Sequence, residues 1–86
     1  MRLDLYLKYS RLVPRRSVAQ EMCDAGAVTV NGHPGKPGRG VAAGDTLVVK
    51  QRGRLTTVRV LATPERPPSK ADASSLYELV STEAYE

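Results

Sequence analysis

The amino-acid sequence predicts an α+β fold, with two N-terminal helices packed on a small, mostly antiparallel sheet and a short C-terminal helix. Three observations predict it. Apolar residues recur at helical spacing through the first quarter of the chain and switch to strand-like alternation from Val28 onward. Pro14, Gly26, Asn31-Gly32 and Gly53 fall between those runs, where turns must lie. A chain of 86 residues holds one domain and buries only about 60% of its unfolded surface. The expected core is therefore small, with no cavity for a large cofactor.

The first helix is predicted over Arg2 to Arg11. Leu3, Tyr6, Leu7 and Ser10 share one face, while Asp4, Lys8 and Arg11 line another. Pro14, which has no N–H to lose in a first turn, leads into a second helix over about Arg15 to Ala25. Its apolar stripe is Val18, Ala19, Met22 and Cys23; Arg16, Gln20 and Asp24 stack opposite, and Gly26 supplies a left-handed stop. Val28 to Val30 reads as a short strand and Asn31-Gly32 as a tight turn. His33 to Gly40, rich in Gly and Pro, is expected to be a loop or irregular edge that keeps Lys36 and Arg39 exposed. Thr46 to Lys50 and Leu55 to Leu61 form a hairpin around Gly53. Residues 62–74, with Pro64, Pro67 and Pro68, have the composition of a linker. The expected organisation is thus a domain over 1–61, the linker, and a helical tail over 75–86, with Ser74 or Ser75 as cap and Leu76, Leu79 and Val80 on one face.

Composition excludes several function classes. The single Cys23 cannot form an internal disulfide and has no neighbours at metal-ligand spacing, so neither a metal nor another cofactor is expected, and a reduced, cytoplasmic setting fits. It sits in the apolar stripe of the second helix, as a small core residue does. No apolar run approaches a membrane span or a signal-peptide core. Asp4, Glu21, Asp24 and Asp45 lie on separate elements, each with a local role; Asp4, for example, is spaced to pair with Lys8. The one histidine, His33, follows Asn-Gly and reads as an exposed turn residue. An enzyme is not expected.

Charge is the informative property. Residues 1–61 hold eleven Lys/Arg against four Asp/Glu, a net +7; residues 62–86 hold two against five, a net −3. A basic body with an acidic tail points to a polyanionic partner. Arg15 and Arg16 open the second helix, where the positive end of the helix dipole disfavours cations unless an anion is near. That conflict between local preference and sequence marks a place where function is expected. If the two helices pack across their short connection, Arg2, Lys8, Arg11, Arg15 and Arg16 converge on one surface, with Lys36 and Arg39 extending it. Aromatic interleaving is sparse, since Tyr6 belongs with Leu3 and Leu7 and only Tyr9 is placed to stack a base. Recognition should then rest on phosphates and shape.

The ordered residues Arg2-Leu3-Asp4, Leu7, Arg16, Ala19, Gly26, Val28 to Gly32, Val41 and Gly44-Asp45 resemble the RNA-binding domain family named after ribosomal protein S-four. The resemblance spans residues 2 to about 50; Arg15 departs from it, many members having Ser there, although several stand-alone ribosome-binding members carry a basic residue. Over nearly its whole length the chain is similar to a stand-alone, ribosome-associated quality-control branch of that family. This resemblance implies a factor that binds large-subunit rRNA and peptidyl-tRNA after a stalled ribosome has split, and that assists RqcH in adding alanine tails; a monomer is expected because nothing in the sequence marks a dimer interface. It places the RNA grip on Arg2 and Arg16, with Lys8, Arg11 and Arg15 in support, and gives Asp4 the role of orienting a cation. Competing expectations are a large-subunit recycling factor of the heat-shock-protein-fifteen type, a pseudouridine synthase fragment, and a helix-turn-helix DNA binder. The first generally carries a longer basic C-terminal extension, and the acidic tail counts against it.

Overall fold

The computed structural model describes residues 1–85. Helix α1 spans Leu3–Tyr9 and α2 spans Arg16–Asp24. Five strands follow, β1 Val28–Val30, β2 His33–Pro34, β3 Thr46–Gln51, β4 Arg54–Val60 and β5 Tyr77–Ala84, with a short helix α3, Lys70–Ala73, before the last. The strands form one antiparallel sheet in the order β2-β1-β3-β4-β5.

Alternation sets the inner face of the sheet. Val28 and Val30, Leu47 and Val49, and Val58 and Val60 are all buried, whereas Thr29, Val48 and Arg59 between them are not. Register aligns Val30, Leu47 and Val58 across three strands. Leu3, Tyr6 and Leu7 from α1 and Ala19 and Cys23 from α2 complete this single core, joined by Val13 from the connection. The helices therefore cover one face of the sheet, as expected. Gly26, at φ +77°, ends α2 in the left-handed conformation that the sequence predicts.

The entry to α1 is built by a distant segment. The Leu3 N–H donates to the Arg39 carbonyl at 2.8 Å and the Asp4 N–H to the Pro37 carbonyl at 3.1 Å. Two of the four N–H groups that a helix start leaves unpaired are satisfied by the Lys36–Gly40 loop. Gly35 permits this approach, because a Cβ there would lie 2.5 Å from Leu3 Cδ2 and 3.2 Å from Val30 Cγ2.

The C-terminal segment departs from expectation. Residues 77–84 are not a helix but the edge strand β5, which pairs with β4 from Tyr77 opposite Val60 to Ala84 opposite Arg54. A helix does form, but it begins earlier, inside the expected linker: Ser69 caps α3 by accepting from the Asp72 N–H, and a 3-10 turn carries the chain through Leu76. The spacing of Leu76, Leu79 and Val80 misleads because only Leu76 is buried. Without β5, the outer N–H and C=O groups of β4 would lie open, and pairing them outweighs a three-residue helical pattern. Val80 is the extra residue of a bulge opposite Thr57 and Val58. Leu76 anchors the segment, its carbonyl accepting from the buried Tyr6 hydroxyl at 2.7 Å and from the Leu61 N–H at 2.9 Å. Glu86, the last residue of the expected tail, lies outside the described residues.

Candidate nucleic-acid interface

The basic surface is organised around one carboxylate. Asp4, on the first turn of α1, has a fully buried side chain. Its Oδ1 accepts from Arg2 Nε at 3.1 Å and from the Leu5 N–H at 2.8 Å. Its Oδ2 accepts from Arg2 Nη2 at 3.3 Å, Arg16 Nε at 3.2 Å and Gln20 Nε2 at 2.8 Å. Gln20 and Arg16 are one turn apart on α2, so packing of the two helices brings both to the same oxygen. Burial pushes the Asp4 carboxyl upward, but hydrogen bonds from Arg2, Gln20, Arg16 and the Leu5 N–H outweigh it and lower its pKa to about 2. Asp4 is thus ionised at neutral pH and fixes two arginines.

Those arginines are not used up. Their side chains remain 51% and 42% exposed. Arg16 reaches Asp4 through Nε alone, leaving its two terminal nitrogens for an incoming group, and Arg2 keeps Nη1. The Arg2 guanidinium lies over Gly38, 3.6–3.7 Å from where a Cβ would stand. The start of α2 adds to the positive field, with Arg15 as N-cap, no side-chain cap and no acidic residue in the first turn. A fixed guanidinium with free, coplanar N–H donors suits bidentate capture of phosphate.

A scan of the sequence matches residues 1–47 to the S4 domain. A protein from Halalkalibacterium halodurans called RQC P-site tRNA stabilizing factor is 46% identical over 79 residues, covering 92% of this chain and 89% of its own. The chain belongs to the S4-domain family. Within this family, heat shock protein 15 of Escherichia coli is 36% identical over 91% of this chain and 59% of its own length. The trimeric structure of Vibrio cholerae heat shock protein 15 superposes with a TM-score of 0.87 at 28% identity, covering 93% of this chain and 81% of that one. None of these names is that of an enzyme.

Against the S4-domain frame, the residues singled out from sequence separate into two groups. Arg2 and Arg16 meet at Asp4, with Arg15 beside Arg16 and the loop of Lys36 and Arg39 packed on the same end of α1. Lys36 is exposed, but Arg39 is only half-exposed; its Nε is buried without a hydrogen-bond partner among the described residues, and its charge helps hold the Asp45 carboxyl low, behind hydrogen bonds from the Ala42 N–H and Asn31. Lys8 and Arg11 lie at the other end of α1, where they share a cleft with Tyr9, Pro14, Pro67 and Pro68. Asp4 pairs with Arg2 and Arg16 rather than with Lys8, because a buried carboxylate facing α2 cannot also reach the exposed helix face.

Sequence reasoning passed over Arg52 and Arg54, which the β3–β4 turn carries to a cleft shared with Arg11. The signal present was a pair of arginines flanking Gly53 in a hairpin turn. The structure places His33 not in the turn but just after it, exposed on the short strand β2 opposite Val30, and Cys23 in the core, 5% exposed, where burial and the charges of Asp4 and Asp24 push its thiol up to about 11. At that value the thiol is not a nucleophile at neutral pH.

Proposed function

We propose that this chain is an RNA-binding factor of ribosome-associated quality control, acting in the cytoplasm as a monomer. It binds large subunits that carry peptidyl-tRNA, contacts rRNA and tRNA through the Arg2–Arg16 pair, and assists RqcH in alanine tailing of stalled chains. One observation carries the reading: two arginines, one at the entry to α1 and one on α2, are locked on a buried carboxylate with both outer nitrogens of Arg16 and Nη1 of Arg2 unspent. Such preorganisation lowers the conformational entropy lost when a phosphate docks. Supporting it are the relatives called RQC P-site tRNA stabilizing factor, which match most of this chain.

The likeness to heat shock protein 15 favours a second reading, a large-subunit recycling factor that acts without RqcH. Sedimentation of tagged protein through sucrose gradients tests both. Co-migration with large subunits bearing peptidyl-tRNA, together with loss of alanine tails when the protein is removed, is the expected result. Co-migration with tailing intact selects the recycling role, and confinement to ribosome-free fractions overturns both.

A further inference from the structure

We propose that the face around Arg11, remote from Asp4, is a second RNA site that takes a single unpaired nucleotide. Two arginines there hold backbone conformations that L side chains adopt at a cost: Arg11 has φ +61° and Arg52 has φ +53°. Glycine would relax both positions, and strain retained at a charged residue directs attention to what the side chain does. Both side chains line one cleft of about 470 Å³, together with Arg54 and Pro14. Across Arg11 and Pro14 lies a second cleft of about 360 Å³, bordered by Lys8, Tyr9, Pro67 and Pro68. Among the described residues, none that lines either cleft is acidic.

The chemistry of this pair of clefts is that of a nucleotide. Tyr9 is half-buried, packing against the core while bordering the smaller cleft, so its ring is held rather than free. An aromatic ring among proline faces suits a base extruded from its stack, and the cations on either side suit the phosphates that flank it. Asp4 sits in the first turn of α1 and Arg11 just beyond its last, so the two sites engage different phosphates. Lys8, Tyr9, Arg11 and Pro14 lie within the residues matched to the S4 domain and Arg52, Arg54, Pro67 and Pro68 beyond them, so the site joins that domain to the segments that follow it.

The inference rests on the RNA-binding reading above and specifies its ligand. The test measures anisotropy of a labelled ten-nucleotide oligouridylate and of a ten-pair RNA duplex, each titrated with the full chain at low salt, alongside thermal melts. Arg11→Gly and Arg52→Gly are expected to melt at the same temperature as the parent or higher, yet to bind the single strand several-fold more weakly. Tyr9→Leu should lose roughly five-fold or more for the single strand and little for the duplex. Arg16→Ala is the control for the first site and should weaken both probes. Undiminished single-strand binding by Arg11→Gly and Tyr9→Leu, with Arg16→Ala impaired, overturns the second site alone. Failure of the parent to bind either probe or large subunits overturns the functional reading as well.

Discussion

Asp4 is where charge, burial and recognition meet. Because its folded pKa is depressed, its contribution to stability is fully present above the unfolded value near 4 and is lost as pH falls toward 2. The shift corresponds to roughly 2 kcal/mol. Urea melts at pH 6 and pH 2.5 should differ by about that amount in the parent, and the difference should shrink in Asp4→Asn. At Arg16, lysine preserves charge but cannot bond Asp4 through an inner nitrogen while offering two coplanar outer donors. Arg16→Lys should therefore bind large subunits several-fold more weakly with little change in melting temperature; equal affinity would argue against the clamp.

Among elements, the Lys36–Gly40 loop has more influence than its irregular sequence suggests, since its carbonyls cap α1 and its backbone supports Arg2. Gly35→Ala would force Leu3 and Val30 apart inside a filled core, at about 1–3 kcal/mol. A lowered melting temperature by calorimetry, with weakened RNA binding as the cap loosens, is the expected outcome. The strand β5 carries the opposite lesson. Its residues show a helical spacing but sit beside an unpaired edge, and the ladder with β4 decides their conformation.

For the whole molecule, the C-terminal third is integral to the fold. Truncation after Leu61 would remove β5, open the edge of β4 and take from the buried Tyr6 hydroxyl its acceptor at Leu76. Circular dichroism melts of residues 1–61 should show a broad, early transition or none, in contrast to the full chain. The electrostatic surface makes a separate prediction. With about five cations engaging phosphates, each contributing a log–log salt slope of roughly −0.7 to −0.9, a four-fold rise in salt should cost two to three decades of affinity. A flat salt response by filter binding would remove phosphate contact as the basis of recognition.

Punctuation and periodicity by themselves determined the two helices with their apolar stripes, the β3–β4 hairpin and the concentration of cations in the N-terminal two-thirds. Those features depend on neighbours within a few residues, where Pro14 and Gly26 act directly on backbone geometry. Only the tertiary structure decided that residues 77–84 form a strand, that Arg2 and Arg16 share one buried carboxylate, and that Arg11 meets Arg52 and Arg54. Each of these joins groups far apart in the chain, through backbone pairing or convergence of side chains, and such contacts are settled by which partner completes a hydrogen bond in the folded state rather than by local preference.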